Sequence, residues 1–248
     1  MAAEYAIEMR GITKTFGSVV ANKDVDLTLR KGEILALYRR CADSGDRRVR
    51  ERAERMLISQ YMAQGELEQA EEQLARLPQE DRERPMLEAM LRRKQKRSEE
   101  AWPILERELF RQASDLQSTL MALMDLALEA GDKTCARQYS ETAEQAGQVF
   151  QLTAYAVASA PLQLALAEQD GPEALAVLER LLRSLEEPWD LSASPLYRHL
   201  PTKEATREVQ QIMLQYLLEE LERDPESAFL RETPGYQEML ERVHRAEI

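Results

Sequence analysis

Two histidines and two cysteines are the residues of this chain best suited to hold a soft metal or to act as an imidazole base or thiolate, and their spacing argues against both roles. His199 and His244 lie 45 positions apart, with no cysteine or carboxylate pattern around them that dictates metal binding. Cys41 and Cys135 form no paired motif, and Cys135 directly precedes Ala136 in a helical pattern, which suits a small packing residue better than a nucleophile. Serines are plentiful, but no G-x-S-x-G turn presents one. None of the nine glycines opens a G-x-x-x-x-G-K-[ST] phosphate loop. The chain is therefore read as no enzyme, with no catalytic, cofactor-binding or metal residue. Two basic runs remain. Arg92-Arg93-Lys94 with Lys96 and Arg97 places five cations in six positions, enough to hold a phosphate or an acidic peptide. The same cluster also reads as a solvated turn beyond a helix C-terminus, where the dipole favours cations. The run from Arg39 to Arg55 is interleaved with Asp43, Asp46, Glu51 and Glu54, and intrahelical pairs such as Glu51–Arg55 account for it. Methionines 86, 90, 121, 124 and 213 suit a core better than a promiscuous groove.

The elements that must position these residues are mostly helical. In 248 residues, glycine is scarce, aromatics make up 6%, and the net charge is −12, which disfavours nucleic acid as a direct partner. No stretch approaches the roughly 18 apolar residues that a membrane span needs. The opening Met-Ala-Ala-Glu-Tyr shows neither a basic nor an apolar leader region, so a cytoplasmic location is expected. The first 37 residues differ from the rest: Tyr5 to Met9, Val25 to Leu29 and Ile34 to Leu37 are short β-rich runs set off by Gly11, Gly17 and Gly32, predicting a short β-meander. From Asp46 onward, apolar residues recur at helical spacing. Four parts follow: residues 1–37, a junction over 38–45, helix pairs over 46–187, and capping helices over 188–248.

In the first part, Met9-Arg10-Gly11-Ile12-Thr13-Lys14-Thr15-Phe16-Gly17 followed by Val25 to Leu37 resembles the start of the ATP-binding subunits of ABC transporters. The resemblance implies that Phe16 matches an adenine-stacking aromatic and that Glu33 to Leu37 match the strand leading into the phosphate loop. Tyr38-Arg39-Arg40-Cys41-Ala42-Asp43 stand where that loop belongs, and neither a Leu-Ser-Gly-Gly-Gln signature nor a magnesium-holding Asp-Glu strand end follows. An adenine platform without amides and a lysine around the phosphates cannot retain ATP. The segment reads as a truncated fragment, with Phe16 as a packing residue.

The helical part repeats. A small or polar turn residue is followed five positions later by a small residue at Gly65 and Ala70, Lys96 and Ala101, Gly131 and Ala136, and Gln169 and Ala174, with separations of 31, 35 and 38. That is similar to TPR arrays, whose period is 34 residues, and predicts an all-α repeat solenoid of four helix pairs. The first pair carries Met56, Leu57, Ile58 and Tyr61 against Leu67, Ala70, Leu74 and Leu77, with Pro78 ending it. The second sets Met86 to Leu91 against Trp102, Leu105 and Leu109. The third sets Leu120, Leu123, Met124, Ala127 and Leu128 against Ala136, Tyr139 and Ala143. The fourth sets Leu152, Tyr155, Leu162, Leu164 and Leu166 against Leu175, Leu178, Leu181, Leu182 and Leu185, with a kink or break expected at Pro161. Beyond a link at residues 189–195, residues 203–223 form an amphipathic helix with Val209, Ile212, Met213, Tyr216, Leu217 and Leu221 inward, and Tyr236 to Arg245 cap the array.

The layout from Asp46 to the end resembles the TPR-bearing half of bacterial Xre-type transcription regulators, without their DNA-binding domain. The resemblance implies a peptide or protein segment bound in the concave groove, and a homodimer among the partners. Gln60, Gln64, Glu88, Arg92, Gln117, Asp125 and Gln163 are the candidate peptide-binding residues. The alternatives are an ABC-type protein fragment without nucleotide hydrolysis and a non-functional fusion.

Overall fold

A computed structural model describes residues 5–16, 19–30, 33–186, 190–200, 212, 216, 219 and 223–246. It is mostly helical, with one small sheet at the N-terminus, and divides into compact units of residues 1–104 and 105–248.

The first unit opens with two antiparallel strands, β1 (Tyr5–Phe16) and β2 (Val19–Arg30), paired from Tyr5 with Arg30 to Phe16 with Val19. Gly11, at φ 61°, sits where the register shifts between Met9 and Ile12, and Asp26 accepts its N–H at 2.7 Å. The expected third strand is absent: Ile34 to Leu37 lie inside helix α1 (Glu33–Ala42), so the meander is a two-stranded hairpin. Tertiary burial overrides β propensity here. Leu35, Tyr38 and Ala42 fall on one helical face and pack against the core of the following helices. An acid in the first turn and Arg39 and Arg40 in the last suit the helix dipole.

Helices α2 (Arg47–Gln64), α3 (Leu67–Arg76) and α4 (Arg84–Lys94) enclose that core of Leu57, Ile58, Tyr61, Met62, Ala70, Leu74, Leu77, Leu87 and Leu91. Asp46 caps α2 by accepting the N–H groups of Arg48 and Val49. The guanidinium of Arg84 donates to the Leu74 carbonyl at 2.6 Å and to the Leu77 carbonyl, satisfying groups that the end of α3 leaves open.

Helix α5 runs unbroken from Ser98 to Glu129. The second helix of pair 2 and the first helix of pair 3, expected as separate elements, are one helix of 32 residues. No glycine interrupts residues 98–129, and Pro103, which has no N–H to donate, is accommodated near the start of the helix.

In the second unit, Leu120, Met124 and Ala127 of α5 pack with Ala136 and Ala143 of α6 (Lys133–Val149) and Ala160 of α7 (Ala154–Glu168). A side chain at Gly147 would come within 2.6 Å of Gln117 and 2.9 Å of Val157, so glycine is what lets these helices approach. Of the kink or break expected at Pro161, the break does not occur; α7 is continuous and the ring is buried. A second cluster joins Leu162, Ala165, Ala174, Val177, Leu178 and Leu181 of α7 and α8 (Gly171–Glu186) to Leu230, Tyr236 and Met239. The last two residues lie on α9 (Tyr236–Ala246), which follows a 3-10 segment at Pro225–Glu232.

The repeat rule appears in backbone geometry. Gly65, Lys96, Gly131 and Gln169 are all left-handed, at φ 81°, 62°, 74° and 56°. Each is followed by an N–H that reaches back five residues: Glu66 to Tyr61, Arg97 to Arg92, Asp132 to Ala127 and Asp170 to Ala165, at 2.8–2.9 Å. This is the Schellman closure of a helix end. Five positions beyond each turn residue, Ala70, Ala101, Ala136 and Ala174 are 0%, 3%, 0% and 0% exposed.

Several side chains expected inside lie outside. Met86, Met90 and Trp102 are 50%, 43% and 51% exposed, and Met56, Leu123 and Tyr155 also face solvent. Ile212 and Tyr216, expected inward, are exposed as well, while Val209, Met213, Leu217 and Leu221 lie outside the described residues. Helical spacing identifies an apolar face but not whether a neighbour covers it.

Candidate functional site

Polar side chains of the helix pairs meet at a few points, of which Arg92 is the densest. Its guanidinium lies 2.6 Å from Glu71 on α3 and 3.6 Å from both Glu88 on α4 and Glu100 in the first turn of α5, and it is 14% exposed. Gln95 accepts from Arg92 at 3.0 Å and donates to Glu71 at 2.7 Å. Hydrogen bonds from Arg92 and Gln95 hold the Glu71 carboxyl below its ordinary range, and Glu71 in turn pushes Arg92 upward. Arg97 forks onto both oxygens of Glu100 at 2.7 Å. Two of the five clustered cations are thus engaged by carboxylates, leaving Arg93, Lys94 and Lys96 as the exposed charges a phosphate or acidic peptide would meet.

The seven candidate peptide contacts fall in both units. Gln60, Gln64, Glu88 and Arg92 belong to the first unit, and Gln117, Asp125 and Gln163 to the second. Gln60 is half-buried and Gln64 exposed at the end of α2. Glu88 and Arg92 join the cluster just described. Gln163 donates to Asp125 at 2.6 Å, tying α7 to α5. Gln117 is buried and donates to the Ala143 carbonyl at 2.6 Å, while its own carbonyl oxygen has no partner among the described residues.

Sequence reasoning missed the contact of His199 with Glu106. Buried Glu106 accepts the His199 backbone N–H at 2.8 Å and sits 2.5 Å from the imidazole Nδ1, across 93 residues of sequence. Beside it, fully buried Tyr197 donates its hydroxyl to the Phe150 carbonyl at 2.7 Å and meets Phe110 edge-on, with ring centres 5.5 Å apart. This latch fastens residues 190–200 to α5. The available signal was that Glu106 shares a helical face with Phe110, Ala113 and Gln117, and an acid on an inward face requires a partner.

Among the described residues no group of His, Cys, Asp and Glu is arranged to hold a metal ion. Asp132 caps α6 by accepting the Cys135 N–H at 3.0 Å, and its carboxylate pushes the Cys135 thiol upward, which makes the thiol a poorer nucleophile at neutral pH. No helix among the described residues is long and apolar enough to cross a membrane. No protein family, curated protein or solved structure matches the chain.

Proposed function

We propose that this chain is a binding protein rather than an enzyme: a TPR-like helical-repeat module that takes a peptide or protein segment, related to the sensor or dimerisation half of a transcription regulator that lacks its DNA-binding domain. One observation carries the reading. The same left-handed turn, Schellman closure and buried alanine recur four times in register, which is what stacked helix pairs require and what a solitary catalytic pocket does not. The net charge of −12 favours a ligand with basic character. Cytoplasmic location follows from the same reading.

Fluorescence anisotropy against a labelled library of peptides, sorted by charge, tests this proposal. Saturable micromolar binding of basic peptides, weakened by Gln60→Ala together with Gln64→Ala, is expected. Uniform failure of all peptides would sink the reading. The ABC-like alternative has less support, because Glu33 to Leu37, matched to the strand before the phosphate loop, are helical. A melting-point rise of several degrees with Mg-ATP would reverse that preference.

A further inference from the structure

The two strands of the hairpin differ at their outer edges. From Tyr5 to Ile12, β1 uses two residues more than β2 does between their partners Arg30 and Val25, and Gly11, at φ 61°, lies in the second of these shifts. Such bulges bend a strand and blunt its outer edge. In β2 the irregular backbone stops at Asp24, which is left-handed at φ 49°, and the strand is regular from Val25 to Arg30. Among the described residues the sheet has no third strand, and no backbone–backbone bond joins residues 25–30 to another element. A six-residue edge with free main-chain groups is a template for pairing.

Along this edge the sequence is its own antiparallel complement. Asp26-Leu27-Thr28-Leu29-Arg30 is centred on Thr28, so a second copy laid antiparallel about that residue sets Thr28 opposite Thr28, Leu27 opposite Leu29 and Asp26 opposite Arg30. Polar positions then meet polar ones, apolar positions meet apolar ones, and the charged ends are of opposite sign, all favourable cross-strand pairings. A slip of one residue sets polar against apolar positions, and a slip of two parts Asp26 from Arg30. Asp26 and Thr28 are exposed. On the alternate positions Val25, Leu27 and Leu29 pair with Ile12, Met9 and Ile7 of β1, and two strands are too few to make such a sheet stable in water. Residues 5–30 hold four cations and three carboxylates in a chain of net charge −12, so here two acidic copies meet with little mutual repulsion.

We propose that two copies of the chain join along the outer edge of β2, antiparallel about a twofold axis at Thr28, to make a four-stranded sheet in the order β1-β2-β2-β1. The contact is the same patch on both copies, and the bulged outer edges of β1 stop further copies from adding. A few main-chain hydrogen bonds and cross-strand pairs make a small interface, so the association is weak and depends on concentration. The inference rests on the hairpin alone and holds whatever ligand the helix pairs take.

Sedimentation and disulfide trapping of the full chain test it. At about 100 µM the expected mass is twice 28.5 kDa. Thr28→Cys, at an exposed position, brings two thiols opposite each other with Cβ atoms about 5 Å apart, near enough for a disulfide to form under mild oxidation. Glu8→Cys, on β1 opposite Thr28, lies three strand spacings, about 14 Å, from its copy and should not cross-link, nor should the native chain through Cys41 and Cys135. Arg30→Asp sets carboxylates opposite carboxylates and should weaken the dimer about tenfold, while Arg30→Lys should preserve it. Trapping through Thr28→Cys also decides the matter if Arg30→Asp disturbs the hairpin. A monomer at about 100 µM, cross-linking through Glu8→Cys as readily as through Thr28→Cys, a dimer indifferent to Arg30→Asp, or a mass rising without limit with concentration would each overturn the proposal.

Discussion

Four alanines sit where a methyl group is all that fits between two helices. Ala70, Ala136 and Ala174 are wholly buried, so Leu at any of them should overpack the contact and destabilise by about 1–3 kcal/mol in urea unfolding. Ala63→Leu, at an exposed position of α2, is the control and should change stability by no more than about 0.5 kcal/mol. The turn residues divide differently. Lys96 and Gln169 hold the left-handed conformation that Gly65 and Gly131 adopt without a Cβ. Lys96→Gly and Gln169→Gly are expected to stabilise by up to about 1 kcal/mol, measured by the same unfolding curves, because relief of Cβ strain exceeds the entropy glycine adds to the unfolded chain. Failure of both to stabilise would mean that local hydrogen bonding already compensates the strain.

Contacts between elements determine how the protein responds to acid. The Glu71 carboxyl on α3 is held below its ordinary range by donors on and just beyond α4. It binds a proton less readily when folded than when unfolded, so its stabilising effect is complete above the ordinary glutamate value near pH 4.3 and is lost as pH falls through the lower folded value. The melting point of the wild type should drop below about pH 4 more steeply than that of Glu71→Gln, read by circular dichroism across a pH series. Equal slopes would show that the bond is too solvent-exposed to matter. Glu54 on α2 has the opposite sign: burial raises its carboxyl, so ionisation at neutral pH works against the fold.

At the scale of the molecule, the N-terminal hairpin and α1 make different contributions. An isolated two-stranded sheet is marginal in water, and Met9, Ile12 and Val25 of this one are exposed. Leu35, Tyr38 and Ala42 of α1 instead pack on the core of the first unit. Deleting residues 1–32 should leave the unfolding free energy within about 1 kcal/mol of the full chain, whereas deleting residues 1–45 should lower it by about 2 kcal/mol or more as half-buried side chains leave the core. A similar large loss from both deletions would assign the stabilisation to the hairpin.

What the sequence by itself determined is local: the helical composition, the four turns and the alanine that follows each. These are set within five or six residues, because a left-handed backbone and a close helix contact restrict the residue at the very position where they occur. The strands at Tyr5 to Met9 and Val25 to Leu29 belong to the same class. Tertiary structure decided the rest. Ile34 to Leu37 became helix because a core lay within reach of Leu35 and Tyr38. Pairs 2 and 3 shared α5, which runs through Pro103 without a break. Glu106 found His199 across 93 positions, and of the candidate contacts Arg92, Gln117 and Gln163 were drawn into bonds between helices. Burial is non-directional, so periodicity names an apolar face without naming its neighbour.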